Sequence, residues 1–440
     1  MQGMPFDGGL YVPDVWPRVN VADVRELNYA DLAFEIIYPY CDDSISHEDL
    51  RNILNNTYKE FHHPKTAPLV DIGNNKYILE LFYGPTFAFK DYALQFLGKL
   101  FQFLFNKEGK KVTIIGATSG DTGSAAIDAF KLKSNIDIFI LYPHEKISEV
   151  QRRQMTTVSE SNVHTIAVRG DFDDCQKIIK KIFLDKEVMS KVNISTVNSI
   201  NWSRIIAQVV YYYWSFLQIP NNINKVNFIV PTGNFGNVFA GNVAKKMGLP
   251  IEKLHLVTNE NDILHRTISS GEMIIKDLRK TYSPSMDIQI SSNFERQLFE
   301  SLDRDSEKLS LIMNSFNEKR SYKLEANIVD KLKEVYNSYR VTDAEILKII
   351  KLYNDKYNYL ADPHTATGLS VLEKNDNRDH PFVSLACAHP VKFSSAIKKA
   401  INKEVDYPDS IKNIFENEEK FTILDNNIMD IKNYILNNIE

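Results

Sequence analysis

The sequence predicts an α/β fold in which parallel sheets are covered by helices on both faces. Three observations predict it. β-branched runs and helical stretches alternate from residue 111 to residue 257, two glycine-bearing turns each leave such a run and open a helix, and one more apolar run returns at Phe382-Val-Ser-Leu-Ala-Cys387. Alternation of this kind needs crossover connections, and right-handed crossovers place ligand sites at the carboxyl ends of the strands.

Taken in order, Lys111-Val-Thr-Ile-Ile115 reads as the first strand of the series, and the loop Gly116-Ala-Thr-Ser-Gly-Asp-Thr-Gly123 leads into a helix over 124–131. Ile136-Asp-Ile-Phe-Ile-Leu141 is a second strand, with a helix expected over 148–155, and a third strand covers 163–168. Asp171 is placed to cap an amphipathic helix that carries Ile178, Ile179 and Ile182 on one side. A strand over 193–197 precedes a helix over 202–216, and Val226-Asn-Phe-Ile-Val230 runs into Pro231-Thr-Gly-Asn-Phe-Gly-Asn237 and a further helix. Residues 251–257 form the next strand. Residues from about 295 to 360 are rich in Lys, Glu and Asn and read as surface helices inserted into the fold.

Composition excludes several functions. The chain has 440 residues, enough for two or three domains, and is 43% hydrophobic and 25% charged. A net charge of -5 gives no electrostatic help toward nucleic acid or an anionic membrane. The most apolar stretch, 205–219, is broken by Gln208, Ser215 and Gln218 and is too short and polar to span a bilayer. Cys41, Cys175 and Cys387 lie far apart and suggest no disulfide framework, and the N-terminus has neither the basic nor the apolar region of a secretory signal. A cytoplasmic location is expected. His62 and His63, being adjacent, point to different faces, and no metal site is expected.

Three features carry chemistry. The turns at 116–123 and 233–237 aim backbone N–H groups, and the positive end of a helix, at an anion. Neither is a phosphate-binding loop with Gly-Lys-Ser/Thr, and neither matches the dinucleotide glycine pattern. Taken alone each reads equally well as a tight strand–helix turn. Two in one chain suggest a ligand with two anionic groups, or two ligands. The third feature is Gly84-Pro-Thr-Phe-Ala-Phe-Lys90-Asp91. A lysine framed by Phe87, Ala88 and Phe89 is expected in an apolar pocket, where desolvation favours the neutral amine that Schiff-base chemistry requires. The alternative is a surface lysine paired with Asp91. One reactive lysine between two anion-binding turns describes a pyridoxal phosphate site.

Phe89-Lys90-Asp91, Thr118-Ser-Gly-Asp-Thr-Gly123 and Gly233-Asn-Phe-Gly-Asn237 together resemble threonine synthase, and more narrowly its bacterial and fungal branch within the tryptophan-synthase-β-like family. The likeness runs from Asp7-Gly-Gly-Leu-Tyr-Val-Pro13 through Asn198-Ser-Ile-Asn-Trp-Ser-Arg204, Thr258-Asn-Glu-Asn-Asp-Ile-Leu264 and Ser283-Pro-Ser-Met-Asp-Ile288. It continues through Ser292-Asn-Phe-Glu-Arg296 to Asp362-Pro-His-Thr-Ala366 and Ala388-His-Pro-Val-Lys-Phe393. The resemblance implies the fold type II architecture of pyridoxal phosphate enzymes, with two parallel-sheet domains. On this division, residues 1–80 are an N-terminal segment, 81–108 and 201–440 form the large cofactor-binding domain with a helical insertion at about 295–360, and 109–200 form the small domain.

The resemblance also implies roles. Lys90 is the Schiff-base lysine and proton shuttle. Gly233, Asn234, Phe235, Gly236 and Asn237 cradle the cofactor phosphate, and Asp121 lies near the cofactor's phenolic oxygen. Thr118, Ser119 and Thr122 bind the substrate carboxylate, while Ser199 and Arg204 hold the substrate phosphate. Cys387 stands where the family commonly has a Ser or Thr against the pyridine nitrogen; read from the residues alone, it is equally a small core cysteine. The implied reaction is γ-elimination of phosphate from O-phosphohomoserine followed by addition of water at Cβ, a lyase reaction of threonine biosynthesis carried out by a monomer. A phospholyase that releases a 2-oxo acid and ammonia is the alternative, since every cofactor residue would be the same. The family carries a further segment before Asp7, which leaves Met1 open as the true start.

Overall fold

The computed structural model describes residues 8–41, 44–375 and 379–439. Met1 and Asp7, on which the start-site expectation falls, lie outside the described residues. Among the described residues, thirteen strands are distributed over two parallel-rich sheets and one two-stranded antiparallel sheet: β1 (Leu69–Asp71), β2 (Lys76–Glu80), β3 (Val112–Ala117), β4 (Ile136–Pro143), β5 (Val163–Arg169), β6 (Ile194–Ser195), β7 (Val226–Pro231), β8 (Ile251–Thr258), β9 (Glu272–Ile274), β10 (Ser321–Lys323), β11 (Tyr336–Arg340), β12 (Phe382–Ala386) and β13 (Thr422–Asp425). The large sheet has the order β1-β2-β12-β7-β8-β11, and the small sheet has β13-β5-β4-β3-β6. The α/β fold with two parallel-sheet domains is therefore as the sequence predicts. β4 and β7 are buried along their whole length, which is why they read as apolar runs broken only by Asp137 and Asn227: helices cover both of their faces.

Three boundaries depart from the expected division. Residues 336–340, within the expected helical insertion, form β11 and pair in parallel with β8 as the outer strand of the large sheet. Tyr-Asn-Ser-Tyr-Arg is polar because an edge strand is half solvated, and that polarity imitates a surface helix. Residues 422–425, assigned to the large domain, form β13 and pair with β5 of the small sheet. The helix Ile428–Asn437 then buries Ile431 and Ile435 in the core shared by Phe139, Ile166 and Ile178. Finally, β1 and β2, from the N-terminal segment, belong to the large sheet.

One helix joins the two halves. Lys90–Glu108 buries Ala93, Phe96 and Leu100 in the core of the large domain and Leu94, Leu97, Phe101 and Phe105 in that of the small one. Two apolar stripes at helical spacing thus fix its first residue, Lys90, at the junction. Its neighbour in the small domain is the helix Asp121–Phe130, which starts at Asp121 rather than at residue 124. The approach is close at Gly98, where a Cβ would lie 2.4 Å from the Ala129 carbonyl oxygen. Gly98→Ala is expected to destabilise the protein by about 1–3 kcal/mol through overpacking, measured as a lowered denaturant midpoint.

His255 on β8 is buried between the rings of Tyr339 and Phe382, and burial pushes it down to about 4. The unfolded chain takes up this proton near pH 6.5 while the folded chain does not, so the unfolded state binds more protons between those values. Stability from this group is present above pH 6.5 and is lost as the pH falls toward 4. The expected loss reaches up to about 3 kcal/mol. Urea titrations at pH 7, 5.5 and 4.5 on the parent and His255→Gln check it, with a shallower decline expected in the variant.

Candidate active site

The carboxyl ends of β3, β7 and β12, together with the start of the Lys90 helix, surround a cleft. Lys90 is brought there by a locked approach. Phe87 adopts a left-handed backbone conformation (φ 63°), its carbonyl accepts from the His389 amide at 3.0 Å, and the Phe89 amide donates to the Cys387 carbonyl at 2.8 Å. The segment before the lysine is therefore pinned to the end of β12. The Phe89 ring lies 4.8 Å from Lys90 Nζ. Asp91, the other half of the surface-pair alternative, turns away: its carboxylate is buried and accepts from the Thr86 amide (2.9 Å) and hydroxyl (2.6 Å). Burial pushes its carboxyl up to about 7 in spite of those bonds.

Lys90 Nζ instead lies 3.3 Å from Asp121 Oδ2. The other Asp121 oxygen receives Gln151 Nε2 at 2.8 Å. Burial opposes charge on this carboxyl, but Lys392, then Lys90, His364 and the Gln151 bond hold it well below the usual carboxylate range.

The 231–237 turn forms an anion nest. Phe235 adopts φ 63°, and no side chain caps the following helix Gly236–Met247, so its first N–H groups face the cleft uncommitted. Gly233 is needed for contact, since a Cβ there would lie 2.9 Å from Ile288 Cδ1 and 3.1 Å from the Ser285 carbonyl oxygen. Asn237 Oδ1 accepts from the hydroxyls of Tyr211 (2.6 Å) and Tyr212 (2.9 Å), which leaves its buried Nδ2 without a partner. Asn234 is tied to the neighbouring loop: its carbonyl accepts from the Asn293 amide, and Ser292 bridges its side chain to Ser199.

Arg204 enters from the helix Trp202–Leu217. Its Nη1 donates to the Val197 carbonyl at 2.7 Å, but its buried Nε has no partner. No carboxylate pairs with it among the described residues, and burial pushes the guanidinium down to about 10. A buried, uncompensated guanidinium is costly unless an anion arrives.

Lys90, Asp121, Thr122, Ser199, Arg204, Gly233 to Asn237 and Cys387 all line the one cleft. Thr118 and Ser119 do not reach its wall. Thr118 Oγ1 accepts from the amides of Gly120 (2.9 Å) and Gly123 (2.8 Å) and so shapes its own loop, and Ser119 is half-buried beside it. Burial raises the Cys387 thiol well above its usual range, keeping a neutral sulfur at the end of β12. Several lining residues went unassigned in the sequence: Gln208, whose buried Oε1 has no partner, Ser285, Met286 and His364. His364 Nε2 accepts from the Ser285 amide at 3.1 Å, so Nδ1 carries the proton shared with Asp362 at 2.8 Å. Their motifs were visible, but nothing in Asp362-Pro-His364 or Ser283-Pro-Ser285 marks a side chain as facing a ligand.

An uncapped helix start, an unpartnered amide in its first turn and an amine across the cleft fit a phosphate-bearing aldehyde such as pyridoxal phosphate. Comparison with known proteins agrees. Residues 65–312 match the family described as pyridoxal-phosphate dependent enzyme, residues 1–58 match the threonine synthase N terminus, and residues 365–435 match threonine synthase, C-terminal. The chain is 42% identical to threonine synthase of Pseudomonas aeruginosa, over 99% of this chain and 94% of that one. It belongs to the threonine synthase family. The Saccharomyces cerevisiae threonine synthase is 44% identical over 92% of this chain and 86% of its own. Among solved structures, pyridoxal-phosphate-bound threonine synthase from Brucella melitensis superposes with a TM-score of 0.95 at 41% identity, covering 99% of this chain and 95% of that one. Yeast threonine synthase gives 0.93 at 39% identity, covering 99% and 94%. Pyridoxal phosphate dependence and threonine synthesis follow from this membership, and the phospholyase alternative is not favoured. No described helix is long and apolar enough to cross a membrane.

Proposed function

We propose that the chain converts O-phospho-L-homoserine and water into L-threonine and phosphate. The observation that carries this substrate is Arg204, a buried guanidinium with a free Nε that lines the same cleft as Lys90 and Ser199. A second phosphate site, separate from the Gly233–Asn237 nest, is what a phosphorylated substrate of a pyridoxal phosphate enzyme requires.

In this reading the nest and Asn237 Nδ2 would hold the cofactor phosphate, Lys90 would carry the cofactor, and Cys387 would serve its pyridine nitrogen. The bound cofactor supplies an electron sink for the substrate's Cα and Cβ. Lys90 would take the Cα proton and then a Cβ proton, and would return protons at Cγ once the phosphate has left and at Cα after water has added at Cβ. Asp121 keeps the amine oriented across the cleft. Arg204 and Ser199 steady the phosphate as it leaves Cγ. Thr122 and the N–H groups of the 118–123 loop hold the substrate carboxylate, with Thr118 keeping the loop in shape and Ser119 next to it. The cytoplasm fits the three free cysteines, Cys41, Cys175 and Cys387. A monomer is proposed on resemblance, and light scattering checks it.

The test is stoichiometric. Purified protein is incubated with O-phosphohomoserine, and threonine, 2-oxobutyrate and phosphate are quantified together. Threonine equal to phosphate supports the substrate. Phosphate with 2-oxobutyrate and no threonine would make the chain a phospholyase, and no phosphate would remove O-phosphohomoserine as substrate.

A further inference from the structure

Asp121 carries a second lysine. Lys392 lies in the helical turn Pro390–Phe393, is fully buried, and places Nζ 3.0 Å from Asp121 Oδ1. Its other contacts are the Thr86 carbonyl at 2.8 Å and the Ser124 hydroxyl at 3.5 Å. All of these partners accept hydrogen bonds, so the environment is built for an ammonium. A buried ammonium needs a counter-ion, and Asp121 is the one carboxylate within ion-pair distance among the described residues. Lys90 shares that carboxylate through Oδ2, at the longer distance of 3.3 Å, with 12% of its side chain open to the cleft. Two cations therefore sit on one anion, and the buried one sits closer.

We infer that Lys392 is a positioning residue that neutralises Asp121 in advance, so that the Lys90 amine can lose its proton and act as nucleophile and base. Without Lys392, Asp121 would pair with Lys90 alone. A single opposite charge at this range favours the ammonium by about one to three pH units. The other groups around Lys90 do not take over this role. Gln151 and Ser285 are neutral, His364 donates Nδ1–H to Asp362 and weighs less on Asp121 than either lysine, Cys387 is a buried thiol, Asp91 is turned to Thr86, and Arg204 lines the cleft without touching Asp121. Lys392 is also the larger of the two lysine influences on the Asp121 carboxyl.

The inference rests on Lys90 being the cofactor-linked lysine. Borohydride reduction of the holoenzyme and peptide mapping test that separately: the cofactor found on another lysine defeats the site assignment, not the charge relation alone. The relation itself is tested on the full-length chain freed of cofactor. Acetic anhydride labelling of Lys90 is followed by mass spectrometry across pH, in the parent, Lys392→Arg and Lys392→Met. The expected result is a Lys90 midpoint about one pH unit or more higher in Lys392→Met, and near the parent in Lys392→Arg. Because Lys392→Met leaves Asp121 without its buried partner and can fail to fold, Asp121→Asn is compared with Asp121→Asn/Lys392→Met. With Lys392 unopposed, Asp121→Asn should lower the midpoint, and the double variant should return it toward the parent. Midpoints that match the parent's in folded Lys392→Met, or in both Asp121→Asn backgrounds, overturn the inference and leave Lys392 as a clamp between Thr86 and Ser124.

Discussion

Lys90→Ala is expected to abolish threonine formation, lowering turnover by about 10⁴-fold or more, because one amine serves as both covalent attachment and proton carrier. The substitution spares the scaffold. Lys90 is the first residue of its helix, alanine is a strong helix former, and the buried stripes that seat the helix begin at Tyr92 and Ala93. Lys392 cannot substitute, since it is fully buried behind Asp121 and tied to Thr86. The variant should keep the parent's circular dichroism and denaturant midpoint, lose the yellow colour of the lysine-bound cofactor, and regain some turnover with added small primary amines. A variant that retains a tenth of parental turnover would remove Lys90 from the chemistry.

Arg204→Leu is the second large effect. Charge-assisted hydrogen bonds to a phosphate contribute about 1.5–3 kcal/mol each, so losing the guanidinium should cut kcat/KM for O-phosphohomoserine by about 10²- to 10³-fold. Stability separates this from a packing role. In the free protein the guanidinium is buried with one carbonyl partner and, among the described residues, no counter-ion. Its replacement by a leucine is expected to leave the denaturant midpoint unchanged or slightly raised, since removing an unpaired buried charge offsets the lost hydrogen bond to Val197. Parallel losses of stability and activity would instead make Arg204 a structural residue.

What the sequence revealed, and what it hid, follows from how each feature is encoded. Buried central strands such as β4 and β7 were legible because burial on both faces demands a run that is apolar but for one polar residue, Asp137 or Asn227. The 231–237 nest was legible because glycine at 233 and the turn at 235 are local requirements. β11 was hidden, because an edge strand has no apolar run to show. The helix Lys90–Glu108 was hidden for the opposite reason: it faces two cores, so its apolar residues cover most of its surface and blur the periodicity. Lys392 stood in a quoted motif, yet a lysine next to a proline turn reads as solvated. Only the contact with Asp121, 271 positions away by subtraction of the two residue numbers, shows that it is buried. Thr118 shows the converse. Its loop was identified, but a hydroxyl can bond its own backbone as readily as a ligand, and the structure uses it for the former.

The partnership of β13 with β5 bears on how the protein is made. The two meet across some 255 residues, with Thr165 Oγ1 donating to the Lys420 carbonyl at 2.8 Å. A ribosome delivers the chain in order, so β3, β4 and β5 emerge and can assemble long before residues 422–437 exist. During that interval β5 presents an open row of N–H and C=O groups, and the hydrophobic face that later receives Ile431 and Ile435 is wet. The nascent small domain thus keeps an unpaired edge and a wet apolar face until residues 422–437 have emerged and docked.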